Sequence, residues 1–201
     1  QRDDVLFAKE GLLLGSHRGF GLTGNDRRGL FQSNNAFWSR TLRISLVDVM
    51  DSTAYAPLPA KSDMATTMAS RMDLVVLLYL NIDETANGYR TFSATVFDGF
   101  RSYCHLPDRP HADVLVNLFF DLCEIERRRM QSALDEPGLS LDRIRAIHAE
   151  AQKAMDRSTG RFLKETHYGE DPKKLAQWND KVRVALGVDN FALFGISPEP
   201  K

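Results

Sequence analysis

Two cysteines, Cys104 and Cys123, are all that a chain of 201 residues carries. They lack the Cys-x-x-Cys spacing of a zinc or redox motif. Cys123 is expected inside a helix on its apolar face, with Cys104 before the turn that leads into it. That places Cys123 about 16 Å up the helix at ~1.5 Å per residue. A disulfide needs Cα atoms within about 7 Å, so two free thiols are expected, which favours a cytoplasmic protein. Long apolar runs are missing as well. The longest, Leu74–Leu80, is far shorter than the ~18 residues of a membrane span, so no membrane association is expected. The sequence opens at Gln1 without the pattern of a secretory signal. Net charge is nearly absent: 26 basic and 27 acidic residues leave −1, which argues against a general nucleic-acid surface.

Several motifs of common chemistry are also absent. The chain has no Gly-x-x-x-x-Gly-Lys-Ser/Thr loop, no Gly-x-Gly-x-x-Gly and no His-Glu-x-x-His. Its histidines, His17, His105, His111, His148 and His167, are scattered. His105 and His111 flank a proline loop and are the one pair that a shared ligand would suit, although loop histidines are more often plain surface residues.

What is present is the composition of a globular protein. Hydrophobic residues make up 43% and charged residues 26%, enough for one domain with a real core. Residues 1–35 read as an N-terminal arm and a Gly/Asn/Ser/Arg-rich loop, and 36–201 as a single globular α+β domain. Charge is uneven along it. Residues 51–125 hold five basic and ten acidic groups, whereas 126–201 hold fourteen and twelve. An acidic middle suits either cations that bridge to phosphates or a solvated face.

Residues 41–51 alternate as Leu42, Ile44 and Leu46 against Thr41, Arg43 and Ser45, the period of a strand. Helical spacing of Trp38, Leu42 and Leu46 competes. Met64, Met68, Met72, Val75 and Tyr79 recur at helical spacing and predict a core stripe. Asn87-Gly88 signals a turn, followed by a strand over 89–97, with a helix as the competing reading because Phe92, Val96 and Phe100 sit four apart. Pro110 is expected at the first position of a helix that runs past Leu115, Leu118, Phe119, Leu122, Ile125 and Met130 to Leu134, where Glu136-Pro137-Gly138 ends it. Ser140 is expected to cap the next helix, with Ile144, Ile147, Ala151, Ala154 and Phe162 inward. Lys153, Arg157 and Arg161 line its opposite side as a solvated or contact face. Asp171-Pro172 opens another helix, with Leu175 and Trp178 inward. Around Val188-Asp189-Asn190 two short runs read as a β-hairpin, with continuation of the helix to Leu186 as the competing reading.

Three segments, in order, carry residues suited to chemistry. They are Leu46-Val47-Asp48-Val49-Met50-Asp51-Ser52-Thr53, then Gly88-Tyr89-Arg90 through Phe97-Asp98-Gly99-Phe100-Arg101, then Val182–Asp189 with Phe191–Gly195. In this order they resemble the class III nucleotide cyclase catalytic domain, and Phe97–Arg101 looks most like the pyrimidine cyclases of bacterial anti-phage defence (Pycsar). The resemblance implies a cyclase-like sheet with packed helices and conversion of a nucleoside triphosphate to a cyclic monophosphate. It further implies two Mg²⁺ or Mn²⁺ ions, a homodimer and a role in antiviral defence. Asp48 and Asp98 are then the catalytic metal ligands. Ser52 and Thr53 face the phosphates, and Arg101 joins them in nucleotide binding. Hard cations favour carboxylate oxygens, and two cations can activate the attacking hydroxyl and neutralise the leaving pyrophosphate. Against the pyrimidine cyclase pattern Phe100 falls on the second aspartate position; against the broader class Asp98 does.

Two other readings stay open. One is an all-α bundle, a non-catalytic interaction or structural protein with the methionines as core and the basic helix face as contact. The other is a helical small-molecule sensor with a pocket lined by Phe119, Phe120 and Met130.

Overall fold

The computed structural model describes residues 35–45, 72–99, 101–104 and 111–197. They form an α+β fold, in which a small antiparallel sheet packs on a group of helices. The sheet is built on a long hairpin. Strand β3 (Val76–Thr85) pairs with β4 (Gly88–Asp98) from Val76↔Phe97 to Thr85↔Gly88. The turn signal lies where the sequence places it. Gly88 follows the two-residue connection at φ 110°, a conformation open to glycine at little cost. Thr85 fastens the turn by donating its hydroxyl to the Gly88 carbonyl and accepting from the Asn87 N–H.

Strand β1 (Asn35–Phe37) adds to the far side of β4, so the order is β1-β4-β3. Its register runs from Asn35↔Asp98 to Phe37↔Val96. Two short strands, β2 (Met72–Asp73) and β5 (Tyr103–Cys104), close the base of the hairpin as a separate ladder. Side chains alternate across the sheet. Val76, Leu78, Thr95 and Phe97 are buried, whereas Leu77 between them is 41% exposed.

Helix α1 (Ala112–Leu134) is the hub and touches β3, β4 and every other helix. Buried side chains occur around most of its circumference, which is the pattern of an internal helix. Along one part of it Phe97, Phe120, Phe162, Leu175 and Trp178 share a core; Leu78, Met130, Leu134, Ile144 and Ile147 form a second. Phe97 meets Phe120 edge to face with ring centroids 5.7 Å apart. Phe119, Phe120 and Met130, the expected pocket lining, are members of these two cores.

Helix α2 (Leu141–Glu165) begins at Ser140, whose side chain accepts the Arg143 N–H. Ile144, Ile147, Ala151 and Phe162 are buried on one face, as the spacing predicts. Helix α3 (Pro172–Leu186) begins at Asp171, which accepts the Lys174 N–H, and Pro172 occupies its first turn. It ends at Gly187 in the left-handed region, φ 70°. A single turn, α4 (Asn190–Leu193), follows.

The structure corrects four expectations. Thr41–Ser45 is neither strand nor helix, because its polar groups are satisfied locally and by α1 rather than by a ladder. Leu42 donates its N–H to Ser39 Oγ, and Arg43 turns back onto the Ser39 and Arg40 carbonyls. Residues 46–51 lie outside the described residues. The methionine stripe is not helical from Met72 onward. Met72 and Tyr79 are in strands, where the apolar run 74–80 finds β4 as a partner; Met64 and Met68 lie outside the described residues. The C-terminal hairpin is replaced by the helical alternative, since Leu175, Trp178, Val182 and Leu186 are all buried on one face of α3. Helix α1 begins at Ala112, with His111 at the cap position, so Pro110, outside the described residues, is not its first residue. Both cysteines are buried, and they are not joined in a disulfide.

Candidate functional site

Of the residues expected to bind a nucleotide and its metals, Asp98 and Arg101 are described; Asp48, Ser52 and Thr53 are not. Asp98 is the last residue of β4 and sits opposite Asn35 of β1. Its Oδ1 accepts the Arg101 N–H at 3.0 Å, and its carbonyl accepts the Ser102 N–H at 2.9 Å. Ser102 Oγ in turn accepts the Val75 N–H at 2.8 Å. The Asp98 carboxylate therefore shapes the turn that leads out of β4. Arg101 is brought beside it by backbone, with its side chain in solvent. Among the described residues no three His, Cys, Asp or Glu side chains gather closely enough to hold a metal ion. A divalent cation of the expected kind takes about six oxygen ligands. The described residues offer Asp98 alone, with one oxygen already engaged, so they do not make a set that fits Mg²⁺ or Mn²⁺.

A denser constellation lies elsewhere, along one seam of α1. Asn117, Asp121, Glu124, Arg128 and Gln131 follow one another at spacings of four, three, four and three, which places them on one side of the helix. The first three are buried. Asn117 has no exposed surface and clamps a passing backbone from both sides. Its Oδ1 accepts the Ile44 N–H at 2.9 Å and its Nδ2 donates to the Ile44 carbonyl at 2.7 Å. The amide thus replaces a neighbouring strand for Ile44, whose side chain is fully buried.

One turn on, Asp121 is equally buried and accepts three side-chain hydrogen bonds. They come from Trp38 Nε1 at 2.6 Å, Arg43 Nη1 at 2.9 Å and Asn190 Nδ2 at 2.7 Å. Asn190 is set in place by Asn179, which accepts its N–H and donates to Asp189. Asp121 thereby ties the 38–45 segment and α4 to the same turn of α1.

Glu124 repeats the arrangement toward the sheet. Arg127 binds it in a fork, Nε to Oε2 and Nη2 to Oε1, both at 2.8 Å. Arg128 Nε adds a bond at 2.9 Å, and Thr95 on β4 donates at 2.7 Å. Arg127 also reaches Ser93, which donates to Gln131 at 2.6 Å. The Arg128 guanidinium lies 5.1 Å from the centre of the Trp38 ring, a cation–π contact. Two carboxylates therefore meet three guanidiniums, and every carboxylate oxygen has a donor. Such a set holds segments in register; its carboxylates are acceptors already engaged.

Among the described residues, the buried Arg43 Nε and His111 Nε2 show no hydrogen-bond partner; the His111 ring packs against Phe191. Burial, reinforced by the Asp121 charge, pushes the Cys123 thiol well above its ordinary range, so it is not a reactive thiolate.

No family model matches the chain, and no curated protein or solved structure matches it either. Sequence reasoning placed Asp98 at a strand end, where it stands, and missed the seam. The expectation for this helix rested on its apolar positions, Leu115, Leu118 and Leu122 among them, and assigned no role to its polar side. The partners that bury it, Trp38, Arg43, Thr95 and Asn190, come from distant parts of the chain.

Proposed function

We propose that this chain is a structural or interaction protein, whose α+β body presents a rigid helical surface to a partner. The α1 seam carries this reading. The most buried carboxylates of the described residues, Asp121 and Glu124, are committed to holding the sheet, the 38–45 segment and α4 on one helix. The contact surface it favours is the outer face of α2, where Lys153, Arg157 and Arg161 are exposed at spacings of one helical turn. Arg161 is braced by Glu165 at 2.6 Å. A basic stripe on a braced helix suits an acidic partner, and such contacts weaken with salt.

Reversing Lys153 and Arg157 together to Glu tests this. Both are surface positions, so the melting temperature is expected to stay within a few degrees, while salt-dependent retention on a polyanionic resin falls sharply. Unchanged retention removes α2 as the contact face.

The cyclase reading keeps one favourable observation: Asp98 ends β4 opposite Asn35, where the neighbouring strand β1 begins. The two readings part on incubation of the full chain with each of the four nucleoside triphosphates and Mn²⁺. The structural reading expects no cyclic monophosphate and no metal-dependent thermal shift. Product formation that Asp98→Ala and Asp48→Ala abolish establishes the cyclase instead.

A further inference from the structure

The basic stripe of α2 does not end on that helix. Four residues turn an α-helix about 40° past one full turn, so Lys153, Arg157 and Arg161 wind around α2 until Arg161 meets α3. There the Arg161 guanidinium lies 5.9 Å from the centre of the Trp178 ring, and Lys181 Nζ lies 3.7 Å from the same centre. Two cations from two helices therefore border one buried indole. One turn beyond Lys181 stands Val184, 87% exposed.

The junction already seats a carboxylate of its own. Glu165 accepts from Arg161 Nε at 2.6 Å and from Trp178 Nε1 at 3.1 Å. Among the described residues nothing engages the outer Nη edge of Arg161 or the guanidinium of Arg157. Such edges take a carboxylate through two parallel bonds. Other anionic partners fit less well. Trp178 is 6% exposed and offers no open ring for a base to stack on, and a net charge of −1 lacks the field that draws a phosphate backbone. The apolar side of α2, with Ile144, Ile147 and Phe162, is spent on the two cores, which leaves it no apolar face to enter a membrane.

We propose that α2 and α3 together form a docking surface for an acidic protein segment. Carboxylates of the partner pair with Arg157, Arg161 and Lys181, and one of its apolar side chains rests on Val184. The inference deepens the contact reading above and rests on it.

The probe is a labelled helical peptide with glutamate at every fourth position and one leucine, added to the full chain at low salt and followed by fluorescence anisotropy. It is expected to bind and to be released by salt, whereas the same peptide with glutamine for glutamate does not bind. Arg157→Gln, Lys181→Gln and Val184→Asp are each expected to weaken binding about two- to fivefold with the melting temperature unchanged. Val184→Asp decides the α3 half should Lys181→Gln unfold, because Val184 stands in solvent. Weakening in Arg157→Gln alone overturns the proposal and leaves the α2 reading standing. Tighter binding of a single-stranded oligonucleotide or of phosphatidylserine vesicles overturns the protein partner. No binding of the peptide, while the Lys153 and Arg157 reversal still lowers retention on the resin, overturns this inference alone.

Discussion

Asp121 has no contact with solvent, so its charge is tolerable only because Trp38, Arg43 and Asn190 surround it. Removing one partner of such a pair leaves an uncompensated buried charge. Arg43→Met is therefore expected to cost about 3–5 kcal/mol, read as the loss in unfolding free energy in urea. Replacing both partners by apolar groups leaves no stranded charge, so Arg43→Met with Asp121→Leu is expected to cost less than Arg43→Met alone. A double variant no better than the single one would show that a stranded Asp121 charge is not what the single variant suffers from. A second residue-scale prediction concerns pH. The Arg161 hydrogen bond to Glu165, helped by its charge and by Trp178 and Lys181, outweighs partial burial and lowers the Glu165 carboxyl below its ordinary 4.5. The folded value is depressed, so this contribution is present above the ordinary carboxylate range and is lost as pH falls through the folded value. Because Trp178 Nε1 donates to Glu165 at 3.1 Å, tryptophan emission should show a transition with a midpoint below 4.5. In Glu165→Gln that transition should vanish.

The helices show what an element encodes in its own sequence. Ser140 and Asp171 accept the N–H three residues on, as N-caps do, and Gly187 closes α3 in the left-handed conformation. Asp171→Ala is expected to lower stability by about 1 kcal/mol, and Gly187→Ala by about 1–2 kcal/mol. Thermal melts of both variants should show these losses with an unchanged helical spectrum below the transition. These caps, the Asn87-Gly88 turn and the end of α1 at Glu136-Pro137-Gly138 were legible because each is a local rule satisfied within a few residues. The strand β3 was not. Met72, Val75 and Tyr79 fit a helical period by coincidence, and Val76, Leu78, Leu80 and Ile82 fit a strand period equally well. The choice was made by β4, which supplies a ten-residue ladder that spacing alone does not reveal. Thr41–Ser45 has strand alternation but does not form a strand; the Asn117 side chain takes the place of a neighbouring strand for Ile44. The candidate site divides the same way. Asp98 was legible as a carboxylate at a strand end, whereas the Asp121 cluster joins residues up to 147 positions apart, as in the Arg43–Asn190 contact.

At the scale of the molecule, α1 decides whether the parts unfold together. It packs against the sheet, α2, α3 and α4, and its polar seam and apolar faces both point inward. Two hydrophobic cores lie along it, joined through the same helix and through Met155, which packs against both. A defect on α1 should therefore be felt everywhere, unlike one on an outer helix face. Phe120 is the sharpest probe, being fully buried and in edge-to-face contact with Phe97 of β4. Phe120→Ala removes a large side chain from a close-packed site and is expected to cost about 3–5 kcal/mol. If α1 couples the sheet to the helices, the loss shifts a single transition, with aromatic and helical signals moving together. If the sheet and the helices were independent, the aromatic signal would move first, and the α2–α3 helical signal would keep its wild-type midpoint. Urea unfolding of Phe120→Ala followed at both wavelengths separates these outcomes. Coincident curves displaced to lower urea are the result that the position of α1 requires.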